Sequence, residues 1–360
     1  MSLAKIAKLA GVSESTVSRV INNHPRIAVA TTKRVRSVME RIGYVPLHPT
    51  RRRGPHSLAR VGIHQGQVAI VPLGMTELLL YQPFVSETWA GVREALEERG
   101  LATVLTPVTD LDRLPGILDP KQVDGVILQG MAPPVQLQKA FKRLPAVYVY
   151  SPFGDKEHQT WFDQIVVDNE MIGRIAADYL LKNNRLHVAY LNPAPGHSKY
   201  PIRGRVFMKE IESRGGKAVL LEAGPAEEPR PLTIHSELDQ QLVDMLVQRL
   251  VELKPMPTGL FVPGDLLTAY VYRSLLKRNM RPGRDILVVS CNNERQLLAG
   301  LYPEPATIDI RSRQIGRRAV EQLLLMLANP DQPRGVEVRI APVLVEPAQS
   351  IDATINPLSK

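Results

Sequence analysis

The sequence predicts two folds in one chain: a small all-α unit at the N-terminus and a larger α/β body built on parallel sheets. Three observations predict this. Basic charge is concentrated in the first 60 residues, apolar residues there recur at helical spacing, and beyond Gln67 short apolar runs alternate with amphipathic stretches. At 360 residues the chain exceeds one ordinary domain, and 44% hydrophobic residues are enough for a buried core, which excludes wholesale disorder.

The helical unit comes first. Leu3, Ile6, Ala7 and Ala10 share one helical face, with Ser2 placed to cap it. Gly11 permits a sharp turn, and Ser13 caps a second helix whose buried face is Val17, Val20 and Ile21. Pro25 stops that helix near Asn22 or Asn23. A third helix runs from about Thr31 to Ile42 through Val35, Val38 and Met39, and Gly43 ends it. Two short helices joined at a glycine turn and braced by a third describe a helix-turn-helix.

Charge agrees with that reading. Residues 1–60 hold twelve Lys and Arg against Glu14 and Glu40, a formal +10; the whole chain is +9, so the other 300 residues carry −1. A basic head on a neutral body is the footprint of a module that neutralises nucleic-acid phosphates. Cys291 is the only cysteine, which excludes an intramolecular disulfide and suits a reducing compartment. No metal or cofactor is expected, because a cysteine zinc set and an HExxH helix are both missing. Lys5 and Lys8 interrupt the apolar pattern that a signal peptide needs, and no apolar run reaches membrane length. The expectation is a cytoplasmic protein with no membrane partner.

The body follows as alternating strands and helices. Strands are predicted at Val68–Val71, Thr103–Leu105, Gly125–Leu128, Val147–Tyr150, Val188–Leu191, Ala218–Leu221, Gly259–Val262 and Leu287–Ser290. Helices are predicted at Glu87–Arg99, Met171–Lys182, Val206–Arg214, Leu238–Leu253 and Leu266–Arg278. This alternation implies parallel sheets covered on both faces.

The run from Leu3 to Asn22, containing Ala10-Gly11-Val12-Ser13-x-x-Thr16-Val17-Ser18-Arg19-Val20, resembles the headpiece of the lactose/galactose repressor (LacI/GalR) family, as does Gly43-Tyr44-Val45-Pro46. The resemblance implies a sequence-specific DNA-binding transcription regulator, a repressor working as a homodimer on near-palindromic double-stranded DNA. It places Ser13, Thr16 and Ser18 on phosphates and Glu14, Ser15 and Arg19 at base edges, with Asn22 at the end of the same helix. Arg19 can grip guanine O6 and N7, and Glu14 can accept from cytosine N4 or simply favour the helix dipole. Relatives carry a hinge helix after this point; here Pro49 and Pro55 bracket Arg51, Arg52 and Arg53, with Arg53 at the usual leucine position. The three arginines suit an extended arm in a narrow minor groove or a basic linker on phosphates.

The same resemblance continues through Pro83-Phe84-Val85-Ser86, Val167-Asp168-Asn169, Arg203-x-x-x-Phe207, Asp285 to Val289, Gly316 to Ala319 and Pro342 to Glu346. It implies the two-lobed fold of periplasmic binding proteins, two doubly wound lobes joined by three crossovers, with a small polar effector in the cleft: a sugar or sugar derivative, or else a nucleobase or sugar acid. By that resemblance Arg203 and Asp265 bind the effector, although Arg203 also suits a surface ion pair and Asp265 a helix cap. Tyr81, Gln82 and Phe84 meet it from the first lobe, Phe84 being equally suited to core. Tyr150 stands where relatives have an acid, Gly264 where they have Asn, and Trp161 suits either cleft or hinge. The expected bounds are 1–56 for the headpiece, 57–66 for a linker, 67–350 for the body and 351–360 for a tail. Lobe 1 is expected at about 67–165 and 292–325, and lobe 2 at about 166–291 and 326–350.

An enzyme is not expected. Ser198 lacks the second glycine of a nucleophile elbow, and no GxxxxGK or GxGxxG phosphate loop occurs. An exported sugar-binding protein would not need the basic headpiece.

Overall fold

The computed structural model describes residues 3–21, 27–42, 62–75, 81–111, 113, 115–133, 135–141, 143–152, 162–224 and 236–347. Arg51, Arg52, Arg53, Asn22, Trp161, most of the linker and the tail lie outside the described residues.

Helices α1 (Leu3–Ala10), α2 (Glu14–Ile21) and α3 (Val29–Arg41) enclose a small core of Ile6, Ala10, Val17, Val20, Val35 and Val38. Gly11 sits at φ +62, the left-handed turn that brings α2 back across α1. The Ser13 hydroxyl accepts the Thr16 N–H at 3.2 Å and its carbonyl accepts that of Val17 at 3.1 Å, so Ser13 caps α2 as expected.

The first lobe contains β1 (Gln67–Leu73), α4 (Pro83–Glu97), β2 (Ala102–Leu105), β3 (Gly125–Gly130), α5 (Val135–Phe141), β4 (Ala146–Val149) and β5 (Asp163–Val167). The second contains α6 (Asn169–Lys182), β6 (His187–Asn192), α7 (Tyr200–Ser213), β7 (Lys217–Glu222) and α8 (Glu237–Glu252). It continues with β8 (Gly259–Phe261), α9 (Asp265–Lys277), β9 (Leu287–Cys291), α10 (Arg295–Leu298) and β10 (Ala306–Asp309). The chain then recrosses as α11 (Ser312–Ala328) and β11 (Glu337–Ile340) in the first lobe, and ends with β12 (Val343–Val345) in the second.

The first sheet has the order β11-β5-β4-β3-β1-β2 and is parallel throughout; the second has the order β12-β10-β9-β8-β6-β7, with only β12 antiparallel. Strand β3 is buried along its whole length, as a parallel strand covered on both faces must be. Each sheet reverses its winding once, between β1 and β3 and between β6 and β8. Such switch points leave a crevice at the carboxyl ends of the strands, where open α/β sheets bind ligands.

Three sequence bounds move. Strand β10 pairs with β9, so residues 292–309 belong to lobe 2 rather than lobe 1. Strand β11 pairs with β5, so residues 326–340 belong to lobe 1. An apolar run carries no label for its sheet, and pairing alone decides. The linker is also shorter than 57–66: the backbone N–H groups of His64, Gln65, Gly66 and Gln67 all donate to the Asp124 carboxylate at 2.6–3.2 Å, and Ile63 is buried. From residue 62 the chain is built into the body.

The first lobe closes where α4 crosses α11. A Cβ on Gly91 would stand 2.0 Å from the Arg313 carbonyl oxygen, and one on Gly316 would stand 2.0 Å from that of Thr88. Only glycine at both positions allows the two backbones to approach so closely.

Candidate functional site

Two surfaces carry the sequence-predicted residues. On α2, Val17 and Val20 are buried, whereas Glu14, Ser15 and Arg19 are exposed on the opposite side. The Ser13 hydroxyl also lies 2.8 Å from that of Ser15 and 2.9 Å from that of Thr16. The helix therefore presents a short polar face with a cation near its C-terminal end.

The second surface is a cavity between the lobes. Its first-lobe wall comes from the start of α4 and the ends of β3 and β4, through Gln82, Phe84, Gln129 and Tyr150. Its second-lobe wall comes from the loop after β6, the first turn of α7 and the ends of β8 and β9, through His197, Lys199, Arg203, Gly264, Asn292 and Glu294. The space open to water-sized molecules is ≈ 120 Å³.

Arg203 is 5% exposed. Its Nε donates to Asn169 Oδ1 at 2.9 Å and its Nη1 to the Pro263 carbonyl at 2.6 Å. Among the described residues no carboxylate lies within ion-pairing distance of it. The surface ion pair allowed by the sequence is not what the fold makes of this arginine. His197 stacks on Tyr200 at 3.9 Å, and desolvation, then the Arg203 and Lys199 charges, hold its imidazole down at about 3. It is neutral at physiological pH, and its Nδ1 accepts the Lys199 N–H at 3.3 Å.

Asp265 differs from its expected role. It is fully buried and is not on the cavity wall; Thr307 Oγ1 donates to it at 2.9 Å, the Glu294 N–H at 2.6 Å, and the Ser290 hydroxyl also donates to it. Nor does it cap the helix: Gly264 is the N-cap residue, no side chain caps α9, and the Asp265 oxygens instead tie α9 to β9 and β10. The acid that does reach the cavity is Glu294, 5% exposed, which accepts from Phe84 N–H at 3.3 Å and Asn292 Nδ2 at 3.2 Å. Burial, then the Asp265 charge, raise its carboxyl to about 7.

On the first lobe, Phe84 and Tyr150 meet edge to face at 5.5 Å and both line the cavity. The Tyr150 hydroxyl lies 2.9 Å from Thr88 Oγ1 and 3.1 Å from Ser312 Oγ, and burial pushes it up to about 12. Tyr81 is 71% exposed and stands outside the wall, so Gln82 and Phe84 supply what was expected of it. Gln129, Asn169, His197, Lys199, Asn292 and Glu294 were missed. Asn169 belongs to the Val167-Asp168-Asn169 string and His197 adjoins Ser198; Glu294 carries no pattern of its own. Among the described residues no group of His, Cys, Asp and Glu could hold a metal ion, and no helix is long and apolar enough to cross a membrane.

Residues 2–47 match the bacterial regulatory proteins of the lacI family, and residues 177–347 match the periplasmic binding protein-like domain. The ribose operon repressor of Escherichia coli (strain K12) is 24% identical over 356 residues, covering 96% of this chain and 98% of its own. The chain belongs to the lacI family. Two solved structures share its fold across 96% of this chain and 98% of theirs: the transcriptional regulator CelR–cellobiose complex (TM-score 0.62, 22% identity) and the lac repressor dimer bound to operator and the anti-inducer ONPF (TM-score 0.60, 20% identity). This lacI-family member is a DNA-binding transcription regulator with a small-molecule effector domain. Its relatives regulate transcription rather than turn over substrates.

Proposed function

We propose that this regulator is a repressor that binds a near-palindromic operator as a homodimer and changes operator affinity when a small polar effector enters the cavity. The observation that carries the effector half is the buried Arg203 guanidinium on the wall of a cavity whose opposite wall belongs to the other lobe. A ligand touching both walls couples its binding to the lobe angle, and the lobe angle to the spacing of two headpieces. The relatives named for ribose and cellobiose support a sugar or sugar derivative.

For DNA, we assign base edges to Glu14, Ser15 and Arg19 and phosphates to Ser13, Thr16 and Ser18, with Asn22 and Arg51 to Arg53 completing the interface. The exposure of Glu14, Ser15 and Arg19 supports this, as does the dimeric, operator-bound relative. Two copies on a two-fold operator square the specificity of one short helix. A DNA target supports a cytoplasmic location. The test is a melting screen against pentoses, hexoses, sugar acids and nucleobases, because a ligand bound only by the native state raises the melting point. One class should raise it and also change affinity for operator selected from random DNA. A blank screen would contradict the effector reading.

A further inference from the structure

The two lobes touch across the cavity at Glu294. Pro83 has no N–H, and the N–H groups of Val85 and Ser86 donate to the Gln82 carbonyl at 3.0 and 3.2 Å. That leaves the Phe84 N–H in the first turn of α4, and it donates to the Glu294 carboxylate of the second lobe. A built turn presents this carboxylate. Asn292 and Asn293 both have positive φ, +114 and +59, and their backbone N–H groups donate to the Ile308 carbonyl at 2.9 Å and to Thr307 Oγ1 at 3.2 Å. Asn292 Nδ2 donates to the second carboxylate oxygen, and the Glu294 N–H is fixed on Asp265. Backbone in so sparsely populated a region persists only where its surroundings hold it. The contact also divides two spaces. Phe84, Asn292 and Glu294 line both the inner cavity and an outer groove of ≈ 730 Å³, which runs between the start of α4, the 292–296 turn and the first turns of α11.

We propose that the Glu294–Phe84 contact is an interlobe latch: made, it holds the ligand-free lobes together and separates cavity from groove; broken, it lets the lobes part and joins the two spaces. It goes beyond the effector reading and does not depend on it. The latch has a built-in pH response. Closure buries the Glu294 carboxyl, and burial, then the Asp265 charge, hold it at about 7; opening returns it to water and toward its ordinary 4.5. The closed state therefore keeps a proton that the open state releases. Its advantage is full below about 4.5 and is lost as pH rises through about 7. The protonated group still accepts the Phe84 N–H through its carbonyl oxygen. Neighbouring groups do not imitate this response. Burial holds Tyr150 at the end of β4 and Cys291 of β9 up at about 12, and raises Tyr200 of α7 further, so all three stay protonated. His197 stays neutral, and Arg203 and Lys199 add cations across the cavity. On the groove side Glu87 of α4 pairs with Arg313 at 3.0 Å, Arg295 pairs with Glu304, and Asp309 accepts from Asn293 at 3.3 Å. Asp265 of α9, at about 6, titrates in the same range, but its partners all lie in the second lobe.

The test is hydrogen exchange of the ligand-free full chain, read on peptides spanning residues 82–88 and 196–204, one from each wall, and corrected for the intrinsic rate at each pH. In the wild type, protection of both peptides should fall at least about fivefold from pH 5.5 to pH 8. Glu294→Gln keeps an oxygen for the Phe84 N–H without a titrating proton, and should remove most of that fall. Glu294→Ala has no acceptor and should leave both peptides poorly protected at both pH values. If the alanine variant does not fold, wild type against Glu294→Gln decides. Wild-type protection in Glu294→Ala, or the same pH response in Glu294→Gln as in the wild type, would overturn the latch. So would a wild type without the fall, or changes confined to residues 82–88, because a contact that only caps α4 would move only its own turn.

Discussion

The Glu294 carboxylate, carried by the second lobe, accepts the backbone N–H of Phe84 at the start of α4 in the first lobe, at 3.3 Å. The Phe84 N–H has no partner within its own helix, and Gln82 offers no side-chain cap, so the other lobe caps this helix across the cavity.

That contact gives a pH prediction whose sign can be worked out. Glu294 at about 7 and Asp265 at about 6 lie above their ordinary 4.5 and 3.8, raised first by desolvation. The folded chain keeps protons that the unfolded chain has released, so both groups make stability fall as pH rises from about 4 to about 7. His197, held at about 3 against 6.5, acts oppositely and costs stability as pH falls below 6.5. The trends overlap, so the difference between variants is diagnostic. Glu294→Gln should gain on the wild type between pH 5 and pH 8 by on the order of 1 kcal/mol, about 2–4 °C in melting point. A melting difference that is the same at both pH values would contradict the assignment.

Arg19→Ala should relax preference at one base pair per half-site and cost about 1–3 kcal/mol of specific affinity. Selection from a randomised operator library reads this directly. An unchanged base profile would show that another helix reads the bases.

Ser13 has a structural role that can be separated from DNA contact. Ser13→Ala removes the acceptor for Thr16 N–H and should cost the headpiece about 0.5–2 kcal/mol, seen as faster hydrogen exchange in α2. Ser13→Asp should restore the cap and still bind DNA poorly, because a carboxylate repels the phosphate. Full DNA affinity in Ser13→Asp would remove Ser13 from the phosphate contacts.

Asp124→Ala leaves the N–H groups of residues 64–67 without their acceptor and should destabilise the body by at least about 2 kcal/mol. Because this carboxylate anchors the chain where it enters the body, the variant should retain ligand binding and lose most of the ligand's effect on DNA affinity. Calorimetry and DNA titration on the same preparation check both halves, and an intact response would show that coupling bypasses Asp124.

Much of this was legible in the sequence, for identifiable reasons. Gly11, Ser13 and the spacing of Val17 and Val20 are local signals, and the headpiece follows from them. Strands β1, β3, β4, β6, β8 and β9 were visible as apolar runs because parallel strands are buried on both faces. Strand β5 contains Asp163 and Gln164, β11 contains Glu337 and Arg339, and both escaped the hydrophobic pattern. Arg203 was found by its motif and does line the cavity. Asp265 was found by the same route but faces inward, because Ser290 and Thr307 come from strands far along the chain. Glu294 was missed for the same reason: its Phe84 partner lies 210 residues away.

The most direct test of a DNA-binding regulator controlled through the Arg203 cavity is one titration. Operator selected by the protein from random DNA is titrated with and without a saturating compound from the melting screen, for wild type and Arg203→Gln. The account predicts a change in operator affinity of about 5–150-fold for wild type, in either direction, and little change for Arg203→Gln. Equal operator affinity with and without bound compound, or an undiminished response in Arg203→Gln, would contradict it.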